Sequence, residues 1–421
     1  MKLLREFLKT GHTPTLAASF LYFDVSFMVW VLLGPLCPFI GEELGLTATQ
    51  KGLMTAVPLL GGSLFRPILG ILADRIGGRQ AGMLGLGLTL IPLLLGWQYA
   101  QRLEHFFGLG FLLGIAGASF AVALPLAGSW YPPQYQGLAM GIAGAGNSGT
   151  LLATLFAPRL AESFGWPRVF ALAMIPVCMA GVLFALWAKD SPRKPPPAQL
   201  RDYASVLREP DTAWFCFLYS LTFGAFVGLA SFLTVFFHDQ YGQSKVRAGD
   251  FAALVVMAGS FLRPVGGMLA DRIGGYKLLL GLLAGAGCCL GFVGFLPAFP
   301  VTVGLFAAAT AMLGMGNGAV FQLVPQRFPS SVGLVTGLVG AAGGLGGFLL
   351  PSWLGAIKDH TGDYGFGFAA VALVFLSGAL ALLFLGSRWS RTWCAASVER
   401  AGIFCYRGLR APVTETSDIA A

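Results

Sequence analysis

Long apolar runs alternate with short polar breaks along the whole chain, and this spacing sets the first expectation. Runs of about 20 residues match the thickness of a bilayer's hydrocarbon core. They fall at 15–40, 52–73, 80–100, 106–130, 136–158, 167–188, 212–237, 250–270, 277–297, 301–325, 332–356 and 365–387. Twelve spans predict an all-α membrane protein, and the even number puts both termini on one side. The longest polar segment between spans is 189–211, KDSPRKPPPAQLRDYASVLREPD, rich in proline and charge. It divides the spans six and six. The expected organisation is a six-helix bundle over 1–188, a linker over 189–211, a second bundle over 212–388 and a tail over 389–421.

The two halves repeat each other. SLFRPILGILADRIGG at 63–78 and SFLRPVGGMLADRIGG at 260–275 align at an offset of 197 residues. The same offset pairs Pro132 with Pro329, Gly146 with Gly343 and Gly149 with Gly346. Related six-helix halves imply a pseudo-two-fold axis along the membrane normal, with a site between them.

Composition agrees. Of 421 residues, 56% are hydrophobic and only 11% charged, where a soluble domain carries about 25% charge. The net charge of +8 would suit nucleic acid if it formed one patch, but the basic residues fall between spans. With the termini placed inside, 18 of them lie in cytoplasmic segments and seven on the opposite face, Arg66 and Arg263 set aside. By the positive-inside rule both ends are cytoplasmic, in a multi-pass protein of the inner membrane. The leader MKLLREFLKTGHTPT has no small-residue cleavage site and reads as cytoplasmic rather than as a removed signal. Seven scattered cysteines show neither metal nor disulfide spacing. No nucleophile–base set, P-loop or dinucleotide fingerprint appears, so no enzyme, catalytic residue, metal or cofactor is expected.

The chemistry lies in the exceptions to the apolar pattern. Arg66 stands eight residues, about 12 Å of helix, before Asp74, well inside the slab. Arg263 repeats it. An arginine there costs at least about 2.5–3.5 kcal/mol, so each needs a partner or a cavity. Of the 19 acidic residues only Asp24 falls well inside a span, too few to neutralise both. An anion site is expected over the alternative, a purely structural role for the arginines. Pro67 and Pro264 leave the carbonyls of Ser63 and Ser260 without a helical donor, and those serines share a face with the arginines. The fifth span, GLAMGIAGAGNSGTLLATLFAP, and the eleventh, GLVTGLVGAAGGLGGFLLP, carry small residues that let backbones approach: Gly144, Gly146, Gly149, Gly340, Gly343, Gly344 and Gly346. Asn147, Asn317 and Gln322 are amides in apolar helices, costly in lipid unless they meet a polar partner. Tyr219 and Phe223 are four residues apart and share a helix face.

GxLADRIGG after the second and eighth spans resembles the major facilitator superfamily, over nearly the whole chain except the tail. AGAGNSG, GAAGGLGG, the two RP pairs, YxxTF on the seventh span and GNGxxFQ on the tenth, in this order, resemble the nitrate/nitrite porters within it. The resemblance implies a fold of two pseudo-symmetric six-helix bundles and a planar anion held by Arg66 and Arg263. It carries Tyr219, Phe223, Asn147 and a fourth-span phenylalanine, Phe120, into the substrate site. Ser260, Asn317 and Gln322 join them as candidates. Arginine suits such an anion, because its planar fork donates two parallel hydrogen bonds. In this fold Asp74, Arg75, Arg79, Asp271 and Arg272 form a gating motif, pairing between helices at the cytoplasmic surface.

Asp24, in FDVSFMVWVLLGP, is either a proton-coupling group or a fixed counter-ion. The resemblance favours nitrate–proton symport; nitrate/nitrite exchange, or transport of another small anion, are the alternatives, and a nitrate-binding sensor is a remote one. The expected partners are nitrate or nitrite, protons and lipid, with no nucleic acid, in a monomer.

Overall fold

The computed structural model describes residues 6–7, 10–192, 205–329 and 331–403, and every regular element among them is helical. In chain order the long helical segments are α1 (Thr13–Glu43), α2 (Ala48–Ile76), α3 (Gly78–Gln98), α4 (Leu103–Gly128), α5 (133–164), α6 (Trp166–Trp187), α7 (Pro210–Tyr241), α8 (Lys245–Ile273), α9 (Gly275–Val293), α10 (Phe299–Arg327), α11 (Val332–Thr361) and α12 (Gly365–Thr392), and among the described residues the eleven other than α5 are long and apolar enough to cross a membrane. A short α13 (Ala395–Ala401) follows. Each expected run falls in one helix, with its ends moved by a turn or two. Most of the linker and most of the tail lie outside the described residues.

Four spans depart from a single regular α-helix: turns at 31–32 in α1 and 118–119 in α4 each separate two helical pieces, and α5 and α7 carry turns of other helical types. In α5 a 3-10 turn, Ala145–Ser148, interrupts the helix between Gly144 and Gly149. In α7 a π-helical turn covers Ser220–Gly224. Such turns often mark functional positions in helices. Elsewhere the ends follow local chemistry. Thr47 and Gln50 form a reciprocal capping box at the start of α2, and Ser244 caps α8 by accepting from the Arg247 amide. ADRIGG ends both α2 and α8 through a glycine at positive φ, 99° at Gly77 and 90° at Gly274. Side chains rarely adopt that region, so glycine lets the chain reverse straight into α3 and α9.

The halves meet through α2 on α11, α5 on α8 and α1 on α7. On the first of these seams the backbones touch. A Cβ added to Gly52 would lie 2.4 Å from the Pro351 carbonyl oxygen, and one on Gly355 would lie 2.3 Å from that of Ala48. At the end of the bundle opposite the termini, charge joins the halves. Lys51 Nζ reaches Asp239 at 2.8 Å, and Arg159 pairs with Asp250 at 2.5 Å. Glu42 takes Lys245 and, at 3.0 Å, His238. The backbone amides of Ala48 and Thr49 donate to Asp359 at 3.0 and 2.8 Å, placing a carboxylate on the N-terminus of α2.

At the terminus-bearing end the hydrogen bonds and ion pairs seen among the described residues include several that stay within one half. Arg79 donates through its backbone to Asp190 and through Nη2 to the Ala185 carbonyl. Asp211, 3% exposed, accepts from Trp389 at 2.9 Å, Trp393 at 3.2 Å and Arg327 at 2.5 Å. Asp74, Arg75, Asp271 and Arg272 are exposed and form no ion pair among the described residues. Of the expected pairing of that motif between helices, the described residues show the Arg79 contact, from α3 to the Ala185 carbonyl of α6.

Candidate functional site

Arg66 is only 2% exposed. Its Nε donates to the Gly117 carbonyl of α4 at 3.0 Å, and Nη1 donates to the Gly340 carbonyl of α11, across the interface. Its Nη2 is buried without a partner. The guanidinium carbon lies 5.1 Å from the Trp30 ring, 5.2 Å from Phe120 and 5.1 Å from Phe223. Three aromatic faces thus surround one cation.

Arg263 is held more loosely. It is half-buried, its Nη2 stands 3.5 Å from the Tyr219 hydroxyl, and its Nη1 is buried and unpartnered. Its guanidinium lies 5.8 Å from the Phe321 ring. Arg66 is within electrostatic reach of both Tyr219 and Arg263. Neither arginine ion-pairs with a carboxylate among the described residues.

The π turn of α7 begins directly after Tyr219, whose ring stacks on Phe223 at 5.1 Å and 3°. Phe321 joins the two sides of the site, 4.9 Å from the Tyr219 ring and 6.2 Å from that of Phe120. Glycines make the close approach possible. A Cβ on Gly343 would strike the Tyr219 ring at 2.7 Å, and one on Gly346 would strike the Ser220 carbonyl at 2.6 Å. On Gly344 it would meet Ser63 at 2.9 Å, and on Gly340 it would press on Phe120 at 3.3 Å. Gly144 differs from the expectation, with Leu124 at an ordinary 3.9 Å. Three successive carbonyls of α11 accept side-chain donors: Gly340 from Arg66, Ala341 from Ser63 and Ala342 from Ser220.

Asn147 and Asn317 are each 1% exposed, and both amide atoms of each lack a partner; the Ser260 hydroxyl is likewise buried and unpartnered. An orphaned buried polar group costs about 1–3 kcal/mol. Donors of this kind, with free N–H on both arginines, fit a guest that supplies acceptor oxygens and negative charge.

Asp24 lies in α1 and is 8% exposed. Its Oδ1 accepts from Ser148 Oγ at 2.6 Å, and it makes no ion pair among the described residues. A Cβ on Gly146 would sit 2.8 Å from its backbone nitrogen, and one on Gly149 1.8 Å from its carbonyl oxygen. Gly146 within the 3-10 turn and Gly149 directly after it are what bring α5 against it.

Gln322 is not brought to the arginines. Its Oε1 accepts from the Gly275 amide at 3.2 Å and its Nε2 donates to the Arg400 carbonyl at 3.2 Å, tying α9 and α13 to α10. Five residues past Asn317, it points about 140° around the helix, whereas Phe321, four past, points within about 40°. The helical period could have found Phe321. Trp30 was equally missed. Its indole occupies space left by Gly62 and Gly117 and donates to the Pro58 carbonyl at 2.6 Å.

The family model of the Major Facilitator Superfamily matches residues 18–351. A nitrite extrusion protein of Bacillus subtilis is 34% identical over 85% of this chain and 91% of its own length. A probable nitrate/nitrite transporter, NarK2, of Mycobacterium tuberculosis is 36% identical over 83% and 91%. This chain belongs to the nitrate/nitrite porter family of the major facilitator superfamily. The porter is also 33% identical, over 82% of its chain and 85% of the relative, to a probable nitrate/nitrite antiporter, NarK1, of Thermus thermophilus. Its fold resembles a D-xylose–proton symporter, with a TM-score of 0.71 at 16% identity, over 89% of this chain and 97% of that one.

Proposed function

We propose that this porter moves nitrate, and nitrite, across the cytoplasmic membrane by alternating access. The observation that carries this is the pair of arginines, each keeping an unpartnered N–H and neither neutralised by a carboxylate, enclosed by aromatic rings where the halves meet. A small planar anion fits between flat faces, with its oxygens on the guanidinium forks. Tyr219, Phe223, Phe120, Asn147, Asn317 and Ser260 complete the candidate site. The names carried by relatives point to the same substrate.

In this reading the two bundles, 1–188 and 212–388, rock about the α2–α11 and α5–α8 seams. The termini lie in the cytoplasm, so the ion-paired end is the outer gate and this structure is closed to the outside. The gating residues Asp74, Arg75, Arg79, Asp271 and Arg272 act when the cytoplasmic end closes. The porter acts as a monomer in lipid, with no nucleic-acid partner, and catalyses no reaction.

Uptake of an anion against a negative interior costs about 2.3 kcal/mol per charge at 100 mV. One proton per nitrate cancels that charge, and two make entry favourable. Asp24 is the proposed carrier, since it is buried and joined to a hydroxyl rather than to a cation. Nitrate/nitrite exchange is the second reading, favoured by the antiporter among the relatives.

The deciding experiment is nitrate uptake into proteoliposomes at clamped potential, comparing an inward proton gradient, internal nitrite, and neither. Acceleration by the gradient, lost in Asp24→Asn, establishes symport. A requirement for internal nitrite with indifference to pH establishes exchange. No flux under any condition, for a protein that is folded, sinks the nitrate reading.

A further inference from the structure

α5 is the span in which the α-helix gives way to a 3-10 turn, and that turn is built against one residue of α1. Gly146 lies within it and Gly149 directly follows it, and both would collide with the Asp24 backbone if they carried a side chain. The approach places Ser148 Oγ 2.6 Å from Asp24 Oδ1. Asn147, the preceding residue of the same turn, is buried with both amide atoms unpartnered. The turn also packs against α8, the helix that carries Arg263. A serine pinned by backbone contact on one side and by a carboxylate on the other is poorly explained by packing alone.

We infer that Ser148 is the positioning residue for Asp24, and that the 3-10 turn ties the protonation of this carboxyl to the amide of Asn147, a member of the proposed anion site. The inference rests on the symport reading above. The proton is exchanged between the Asp24 carboxyl and water on whichever side is open, and Ser148 keeps its own proton throughout. Its hydroxyl donates to the ionised carboxylate and stabilises that form. When Asp24 is protonated, Oδ1 becomes a poorer acceptor and the turn is released. Asn147, one residue away on a four-residue turn, shifts with it. The porter thereby senses at the anion site whether the proton has been loaded.

Other charges do not supply this link. At the depth of Asp24 the elements packed on α1 and on the turn offer Arg66 of α2 and Arg263 of α8. Arg66 donates to Gly117 and Gly340, Arg263 contacts Tyr219, and neither pairs with Asp24. Tyr22, two residues before Asp24, lies against Phe184 on another face. The remaining charged groups and histidines of these elements stand near helix ends: Glu42 and Glu43 on α1, Lys51, Asp74 and Arg75 on α2, Arg79 on α3, Glu104 and His105 on α4, Arg159 and Glu162 on α5, Arg168 on α6, Asp211, His238 and Asp239 on α7, and Lys245, Arg247, Asp250, Asp271 and Arg272 on α8.

The test uses full-length protein in proteoliposomes, with two readouts on the parent, Ser148→Ala and Ser148→Thr. One is nitrate–nitrate exchange, which needs no net proton movement; the other is the pH profile of proton-driven nitrate uptake. In Ser148→Ala exchange persists, with a KM that no longer changes with pH as the parent's does, while the midpoint of the uptake profile moves to higher pH by about a tenfold change in proton concentration. One lost hydrogen bond to a charged group has that size. Ser148→Thr, which keeps the hydroxyl, restores the parent profile. A Ser148→Ala profile that superimposes on a pH-dependent parent overturns the inference alone. Loss of exchange in both variants overturns it in favour of a packing role. A parent that exchanges nitrate but ignores pH removes the symport reading and this inference together, and leaves the nitrate site standing.

Discussion

A guanidinium with one terminal nitrogen to spare is the smallest unit of this mechanism. Arg66 spends two donors on backbone carbonyls and is boxed by three rings, so its orientation is fixed before any anion arrives. Arg66→Lys keeps the charge but loses the planar fork, and uptake should fall about tenfold to a hundredfold, the loss of one or two charge-assisted hydrogen bonds. A rate within twofold of the parent would remove Arg66 from the site. Phe321→Ala takes away the ring that touches Tyr219, Phe120 and Arg263. It should raise KM for nitrate and relax exclusion of tetrahedral anions, measured by sulfate competition. Asp211 stands apart from transport. It gathers two indoles and Arg327 at the end of α7, so Asp211→Ala should destabilise by about 3 kcal/mol, read as a lower midpoint of thermal unfolding in detergent. The arginines were legible in the sequence because charge in hydrocarbon is costly wherever it falls. Trp30, Phe321 and Ser148 were not, because an aromatic ring or a serine in a span has no such cost, and only the fold shows which face it takes.

At the scale of elements, the glycine runs of α5 and α11 do different work. In α5 they admit α1 at Asp24, and in α11 they admit Tyr219, Ser220 and Ser63 from two different helices. Gly344→Leu would drive its side chain into Ser63 and the Leu59 carbonyl, prying α2 from α11. Transport should be abolished while the protein still inserts, a split visible by comparing membrane yield with flux. The sequence marked these helices as close-packed and gave their repeat, yet the 3-10 and π turns were invisible. Both arise where tertiary contact overrides local preference, and AGNS or SLTFG alone carries no signal for either.

For the whole molecule, span number and the two-half organisation were readable from hydropathy and the 197-residue repeat, since the hydrocarbon slab dictates helix length. The conformation was not, because the chain must be able to adopt more than one. Here the ion-paired end is closed by contacts that each join one half to the other. Lys51→Ala together with Asp250→Asn removes two of them and should shift the population toward opening there. Spin-label distances across that end should lengthen, and unchanged distances would show that the backbone seam alone holds it shut.

The repeat also has a consequence for how the carrier is measured. One arginine is bonded to both halves while its counterpart contacts a tyrosine of its own half. If the proposed rock breaks the Gly340 contact, an anion entering from one face meets a tethered guanidinium and one entering from the other face a released one. Half-saturation constants in right-side-out and inside-out vesicles should be unequal. A carrier without a gradient cannot pump, so maximal rates must differ in the same proportion. Such lopsided kinetics with balanced ratios is what a duplicated ancestor leaves behind when its two copies stop being interchangeable.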